Sequence, residues 1–188
     1  MSDLFVDNIK HQSSQGSGTI TLGTSGEKIG LASGAEFSNI TGQNYPAFYA
    51  RKTGNQNLSR AAITKITTFT TDEIDTDSAF DGTTFTVPVA GKYMVGCQLR
   101  FYFGDAGNDG EVANIYLYKN GAYHMQSFLQ FGSISRSLST FTGQLNMIID
   151  LAVDDTVEVY GRLADNSASG TLKITETHSF FQAYRIGA

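Results

Sequence analysis

The chain has 188 residues and a formal net charge of −5, from 13 basic and 18 acidic side chains, so no basic stripe exists for nucleic-acid phosphates to follow. One cysteine, Cys97, excludes an intrachain disulfide framework, and no stretch approaches the ~20 apolar residues of a membrane-spanning helix. Twenty glycines, 13 phenylalanines, nine tyrosines and two prolines are typical of an all-β domain with many tight turns. We expect an all-β protein that binds neither nucleic acid nor membrane.

The first 15 residues form a short tail with an apolar cluster, made of Leu4, Phe5, Val6 and Ile9. The tail is too short to fold alone, and apolar side chains on a free tail reduce solubility. We therefore expect residues 1–15 to anchor the chain to a partner. The tail lacks the basic and then apolar run of a signal peptide, so we expect synthesis in a cytosol without a cleaved leader.

Residues 16–45 are rich in Gly, Ser and Thr. Ile20 alternates with Leu22, and Ile29 with Leu31, and turns of Gly and Ser separate the two pairs. Strands this short have one apolar face that a single chain cannot bury. The pattern favours a β-structured stalk that is stable only when three chains associate. The alternative is a flexible Gly/Ser linker.

From residue 46 to residue 188 the strand signals are denser, and 80–95 is the clearest of them. It begins with a tight turn, because Gly82 tolerates positive φ and the preceding aspartate can bond its own backbone. Apolar residues then alternate with polar ones over 85–89, which is typical of a half-buried strand. Pro88 lacks a backbone donor, so it is expected at an edge or a strand end. A second turn and a second strand follow.

The remaining strands alternate in the same way, and no segment sustains the 3.6-residue period of a helix. Polar 52–60 and acidic 71–77 are expected to be loops. The number and spacing of strands favour a β-sandwich or jelly roll over an α/β fold. Besides those around the central turn, strands are predicted at 46–51, 61–70 (with a bulge), 93–103, 112–118, 122–131, 138–151, 156–163, 172–176 and 179–186.

The central segment resembles the globular domain of complement component 1q, in which a turn, a Phe-Thr-Val-Pro strand, a Gly and a Tyr follow in the order seen at 80–95. Tyr-Lys-Asn-Gly at 118–121 is similar to a hairpin of that family. Asp-Asp-Thr-Val at 154–157 is similar to the start of one of its strands.

The resemblance extends to both ends of this region. Residues 46–50 resemble the opening strand, and 179–184 resemble the closing strand, although Gln182 and Ala183 stand where a Gly is usual. Over 46–188 the resemblance implies a jelly roll of the complement component 1q and tumour necrosis factor class. It also implies a homotrimer with aromatic-rich contacts between subunits.

Aromatic residues are the candidates for these contacts. Phe101, Tyr102 and Phe103 are consecutive, so their side chains point to both faces of a sheet, and Tyr116 and Tyr118 share one face. A sandwich has one inner face per sheet, so large side chains on the other face favour cover by a neighbouring subunit. We therefore expect a trimer interface made of Phe101, Phe103, Tyr116, Tyr118 and Tyr184. The alternative is a sheet face that tolerates exposed aromatics.

No catalytic constellation is evident. The histidines, His11, His124 and His178, are far apart and have no metal-ligand spacing, so His124 and His178 are expected at the surface. Ser25 lacks a nucleophile elbow, and no phosphate-binding glycine loop leads into a helix. Cys97 alternates with apolar residues and is expected to be a small buried side chain. We expect no enzymatic activity; a polysaccharide-degrading enzyme would need paired carboxylates, and none stand at readable spacing.

Two acidic clusters are candidates for calcium, because hard cations favour oxygen ligands. Neither follows the EF-hand spacing, and ordinary turns with solvated carboxylates have the same composition. We expect no cofactor, with calcium as the alternative. The clusters are Asp72, Glu73, Asp75 and Asp77, and Asp105, Asn108, Asp109 and Glu111.

The start of the chain, Val-Asp-Asn-Ile at 6–9 with the following Ser/Gly/Thr segment, resembles small structural proteins of tailed bacteriophages. This resemblance implies a virion surface protein, either a capsid decoration or fibre or a tail-fibre knob, made in the host cytoplasm. Its partners would be two further copies, capsid or tail proteins, and a glycan or protein of the host surface. The alternative is a bacterial adhesive or glycan-binding module that works without a virion.

Overall fold

The computed structural model describes residues 45–104, 110–130, 139–165 and 171–187. The chain separates into two units, Met1–Gly42 and Gln43–Ala188, and the described residues belong to the second. The anchor at 1–15 lies outside the described residues, as does the stalk up to residue 44. Both stay predictions.

The described residues form eleven strands and no helix, so no helix among them is long and apolar enough to cross a membrane. The strands are β1 (Ala47–Lys52), β2 (Gln56–Asn57), β3 (Thr64–Lys65), β4 (Phe69–Asp75), β5 (Thr84–Thr86), β6 (Gly91–Tyr102), β7 (Gly110–Lys119), β8 (Ala122–Ser127), β9 (Thr140–Leu151), β10 (Thr156–Asp165) and β11 (Lys173–Gly187).

The strands pair into two antiparallel sheets. The first sheet has the order β4-β1-β11-β6-β9, with β2 paired to β11. The second has the order β3-β10-β7-β8, with β5 paired to β10. The first long strand of the domain thus lies beside the last, and both sheets draw strands from across the whole domain. This arrangement confirms the predicted all-β jelly roll.

The inward-facing side chains, which alternate with outward-facing ones along each strand, fill the space between the sheets. In β6 the odd-numbered residues Tyr93, Val95, Cys97, Leu99 and Phe101 are fully buried, whereas Lys92 and the other even-numbered residues face outward. Three aromatic rings pack against one another in this core. The ring of Phe48 stacks on that of Phe80 with centroids 4.5 Å apart, and it meets the edge of Phe181 at 5.0 Å.

The central segment forms the predicted turn. One carboxylate oxygen of Asp81 accepts hydrogen bonds from the backbone N–H groups of Thr83 at 2.8 Å and Thr84 at 2.7 Å, and Gly82 has a φ of 93°. Pro88 follows the end of β5, as predicted for a residue without a backbone donor.

The two strands of this segment do not pair with each other. β5 pairs with β10 in the second sheet, whereas β6 lies in the first sheet between β11 and β9. The residues between β5 and β6 therefore cross from one sheet to the other. Gly91 starts β6 with a φ of 151°, and a Cβ at this position would overlap the carbonyl oxygen of Gly187.

Three expectations about strands are wrong. The strand predicted at 61–70 is two strands in different sheets, β3 and the start of β4. The acidic segment predicted to be a loop is largely strand, because β4 continues to Asp75 at the edge of the first sheet. The separate strands predicted at 172–176 and 179–186 are one strand, β11. Its pairing with β6 shifts between Thr175 and Phe180, so a bulge interrupts the ladder without ending the strand.

Candidate functional site

The outer face of the first sheet carries exposed apolar side chains in register. Met94 on β6 is directly opposite Ile148 on β9 and opposite Tyr184 on β11. Ile148 is 58% exposed and Tyr184 44% exposed, and Met94 between them is half-buried. We call these three residues the apolar row. Exposed side chains this large on three neighbouring strands form a patch of the kind that marks protein–protein contacts.

The apolar surface continues toward β4. Tyr49 on β1 is opposite Ile74 on β4 and opposite Gln182 on β11, and Ile74 is 45% exposed. In the next row Arg51 is opposite Phe180. The face therefore changes from apolar to mixed polar and aromatic along the direction of β11.

Large apolar side chains are also exposed at β8, on the second sheet. β8 ends the second sheet, and all its first four residues are exposed. Tyr123 is 56% exposed, Met125 44% exposed, and Phe128, just after the strand, 57% exposed. We call these three residues the β8 edge. An edge strand that carries large apolar side chains is a site where another chain can pack.

The predicted interface residues Phe101 and Phe103 occupy a different place. Both are 0% exposed and belong to the core of the single chain, so they offer no surface to a neighbouring subunit. They share the parity of Tyr93, Val95 and Leu99, and this shared parity puts them on the inner face. Their role is corrected to core packing.

The predicted interface residues on β7 lie on the outer face of the second sheet. The ring of Tyr118 stacks on that of Tyr160 at 4.1 Å, and the ring of Tyr123 meets both Tyr116 and Tyr118 edge to face at 6.3 and 6.4 Å. Tyr116 is buried under these neighbours, and Tyr118 is half-buried. Tyr184 lies on the first sheet, so the structure does not bring the five predicted residues together.

A pocket of about 360 Å³ opens on the first sheet, beside the bulge in β11. Its rim combines aromatic, charged and hydroxyl-bearing side chains, and the buried residues Lys52 and Ser179 also line it. The residues of the rim are Tyr49, Arg51, Thr53, Glu176, His178 and Phe180.

Lys52 is the buried cation of this region, with 3% of its surface exposed. Its amine donates hydrogen bonds to the carbonyl of Thr67 and the hydroxyl of Thr68, both at 2.7 Å, and lies 5.8 Å from the centre of the Phe69 ring. Burial lowers the pKa of Lys52 to about 8, because the charged form loses hydration, and the nearby carboxylate of Glu176 partly opposes this shift.

The remaining candidates show structural contacts. The carboxylate of Asp75 accepts hydrogen bonds from the backbone N–H groups of Ala79 and Phe80 at 2.9 and 3.3 Å, and Asp77 accepts one from the hydroxyl of Thr76 at 2.7 Å. These contacts stabilise the turn after β4. Within the described ranges, no three His, Cys, Asp or Glu side chains form a metal-binding group. Of the second acidic cluster, 105–109 lies outside the described residues.

His124 and His178 are exposed on different sheets, as predicted for surface residues. Cys97 is buried, and burial raises the pKa of its thiol to about 12. Its burial confirms the prediction of a small core residue.

Sequence reasoning missed Met94, Ile148, Met125 and Phe128. A signal was present in β9, where Ile148 stands among the polar even-numbered residues Thr142, Gln144, Asn146 and Asp150. One large apolar side chain on an otherwise polar strand face is the pattern expected of a contact residue.

No protein-family model matches the chain. No curated protein matches it either. Among solved structures, Eiger, a tumour necrosis factor from S. frugiperda, is similar with a TM-score of 0.59 and 12% identity, over 77% of this chain and 94% of that chain. Murine APRIL, crystallised at pH 5.0, is similar with a TM-score of 0.54 and 10% identity, over 76% of this chain and 100% of that chain. At these identities the likeness shows the fold alone: the domain is a jelly roll of the tumour necrosis factor type.

Proposed function

We propose that the protein is a non-enzymatic structural protein of a bacteriophage virion surface. It acts as a homotrimer whose jelly-roll heads project from the particle and whose N-terminal tails anchor it. The head faces solvent and contacts the host surface. Its place on the particle is either the capsid, as a decoration or fibre, or the knob of a tail fibre.

The observation that carries the proposal is the apolar row on the first sheet. Ile148 and Tyr184 leave about half of their surfaces exposed in a single chain, and removing apolar area from water yields about 25 cal/mol per Å². The β8 edge lies elsewhere on the same head. Contact between the apolar row of one copy and the β8 edge of the next is head-to-tail. Such a contact closes into a ring when the rotation between copies permits. The resemblance to complement component 1q implies that three copies close it.

The anchoring role is supported by sequence. The apolar side chains of Leu4, Phe5, Val6 and Ile9 require cover that a free tail lacks. The virion context is supported by the resemblance of 6–9 and the Gly/Ser/Thr segment to bacteriophage structural proteins.

Light scattering of the full-length protein after size-exclusion chromatography tests the assembly. We expect the mass of a trimer, and we expect Ile148→Asp and Tyr184→Asp to release monomers, because a carboxylate at the centre of an apolar contact is buried without a partner. The matched control is Thr142→Asp, which places the same charge at an exposed position of the same strand. A monomeric wild-type protein would count decisively against the proposal.

Deletion of residues 1–15 tests the anchor. The shortened protein is expected to remain a soluble trimer and to be absent from purified bacteriophage particles, as measured by mass spectrometry of the virions. Its incorporation at the wild-type level would overturn the anchoring role.

A bacterial glycan-binding module is the second candidate, and the pocket beside the bulge in β11 favours it. Such a module should keep its binding after the tail is deleted. Capsid, portal and tail genes beside the coding sequence would favour the virion protein instead.

A further inference from the structure

The bulge in β11 is larger than an ordinary bulge, which has one extra residue. Thr175 pairs with Arg100 and Phe180 pairs with Gln98, so four residues of β11, 176–179, face the single residue Leu99 of β6. Within it His178 takes a φ of 66°, which is uncommon for a residue other than glycine. Large bulges and strained backbone occur next to binding sites, where they redirect side chains.

Side chains of β6, β9 and the bulge itself hold the bulge in place. The side-chain amide of Gln98 donates to the carbonyl of His178 at 2.6 Å, and Gln98 in turn accepts a 2.5 Å hydrogen bond from Gln144. The hydroxyl of Ser179 accepts from the backbone N–H of Arg100 at 2.9 Å, which replaces a lost ladder bond. Because these hydrogen bonds already hold the backbone beside the pocket, ligand binding costs little further conformational entropy.

The side chain of Asn55 completes these contacts. Its carbonyl oxygen accepts a hydrogen bond from the backbone N–H of Glu176 at 3.1 Å. Both ends of the bulge are therefore fixed by side chains, and the pocket beside it is formed before any ligand arrives.

One wall of the pocket is aromatic. The rings of Tyr49 and Phe180 lie 5.6 Å apart with an angle of 35° between their planes, and both are half-buried. The faces of aromatic rings carry negative partial charge. They therefore attract the weakly positive C–H groups on the apolar face of a pyranose ring. The volume of about 360 Å³ falls at the low end of the range for small-ligand pockets, of roughly 300–1,000 Å³, and suits one or two sugar units.

Charged residues also line the pocket. Arg51 and Lys52 line the pocket together with His178, whereas Glu176 is its carboxylate. The guanidinium of Arg51 has the planar donor geometry that matches a carboxylate. The carboxylate of Glu176 is an acceptor for sugar hydroxyl groups.

We infer that this pocket binds a carboxylate-bearing sugar unit, with the pyranose ring against Tyr49 and Phe180 and its carboxylate toward Arg51. The inference rests on the proposed function, since it names the ligand class for the contact of the head with the host. Phe180 lies four residues along β11 from Tyr184, or about 14 Å at ~3.4 Å per residue. Contact at the apolar row does not require the pocket to be filled.

Calorimetric titration of the full-length protein tests this with three matched probes. D-Glucuronate carries both ring and carboxylate, D-glucose has the ring alone, and acetate has the carboxylate alone. We expect D-glucuronate to bind at least about tenfold more tightly than either, because only it uses both walls of the pocket. Equal affinity for all three probes, or no heat from D-glucuronate at tens of millimolar, overturns the inference, and so does tighter binding of inorganic phosphate.

Two pairs of variants assign the contacts. Arg51→Met and Phe180→Ala should each weaken D-glucuronate binding roughly tenfold or more. Their controls, Lys92→Met at the other end of the same face and Tyr45→Ala at an exposed position before β1, should leave it unchanged. Melting curves verify that all four variants fold. Unchanged binding in the folded Arg51 and Phe180 variants contradicts the assignment.

The binding experiment and the assembly experiment can fail independently of each other. A trimer that does not bind D-glucuronate overturns only the pocket. A monomer that binds it overturns the proposed assembly and leaves the pocket in place.

Discussion

The side-chain amide of Asn120 donates a 2.7 Å hydrogen bond to the carboxylate of Asp155 and thereby joins the turn between β7 and β8 to the turn between β9 and β10, 35 residues apart in sequence. Asn120 also accepts a 2.8 Å hydrogen bond from the backbone N–H of Thr156. The second carboxylate oxygen of Asp155 accepts from the N–H of Ala152 at 2.8 Å and pairs with the amine of Lys119 at 2.8 Å. The carboxylate is therefore a shared acceptor for three groups from two places in the chain.

Replacing Asp155 with Ala should lower the free energy of unfolding by about 1–3 kcal/mol, because its donors lose their acceptor together. Urea denaturation followed by circular dichroism measures this difference. Asp150→Ala is the matched control, since the side chain of Asp150 is 80% exposed and its ion pair with Lys92 is 3.6 Å long. The control should change stability by no more than about 0.5 kcal/mol.

The same carboxylate predicts an acid dependence. Hydrogen bonds from Asn120, Lys119 and Ala152 lower the pKa of Asp155 from 3.8 to about 2. A folded-state pKa below that of the unfolded chain gives stability that is present above pH 4 and is lost as the pH falls through 2. Asp155→Asn should remove this part of the acid dependence. If the variant and the wild type lose stability in parallel between pH 4 and pH 2, the carboxylate is not the group responsible.

The resemblance to complement component 1q predicted the hairpin and the strand start of this region, and the turns there are chemically specified. Asn120 and Gly121 both take positive φ, at 52° and 72°, as the Asn-Gly pair in a two-residue hairpin requires. The strand start at Thr156 likewise follows from the aspartates before it, one of which, Asp154, has a φ of 66°. Such conformations depend on neighbouring residues alone, so one sequence is sufficient to predict them.

The interface residues were harder to predict because alternation separates two faces without saying which one is inner. The sequence predicts Phe101 and Phe103 at a subunit contact. Only the packing of the two sheets shows that their face points toward the second sheet. Tyr184 and Ile148 are far apart in the sequence. The register of β6 with both β9 and β11 brings them to either side of Met94, and pairing of this range follows from the whole topology.

Replacing Gly91 with Ala should destabilise the domain by more than about 2 kcal/mol. Its φ of 151° is unfavourable for any L side chain, and the added Cβ would overlap the backbone carbonyl of Gly187, which cannot rotate away. Thermal unfolding measures the effect. Gly54→Ala is the control, because nothing lies within 4 Å of the position its Cβ would take. Equal melting temperatures for the two variants would refute the argument.

The thiol of Cys97 should react with a disulfide reagent only when the domain unfolds. It is 1% exposed, and its pKa is raised to about 12 by burial, so both access and thiolate are lacking in the native state. We expect the labelling rate to follow the population of unfolded chains as urea is added. Rapid labelling of the native protein, with a rate independent of urea, would mean that the core around β6 opens locally.

Lys52 should make stability rise with pH in the alkaline range. Its pKa is about 8 in the folded state and 10.5 in the unfolded chain, so between these values the unfolded chain binds more protons and each rise in pH favours the fold. The contribution is complete above 10.5 and is lost as the pH falls through 8. Tyr93 and Tyr160 have raised pKa values, chiefly through burial, and act in the opposite direction near and above pH 10.

Comparison with Lys52→Met between pH 7.5 and pH 9.5 isolates the lysine from these tyrosines. Urea denaturation should show the wild type gaining stability relative to the variant across this window, because only the wild type releases a buried proton there. The variant also leaves the carbonyl of Thr67 without its 2.7 Å donor, which lowers stability by a similar amount at every pH. A constant difference between the two proteins would therefore show that the amine keeps an ordinary pKa in the fold.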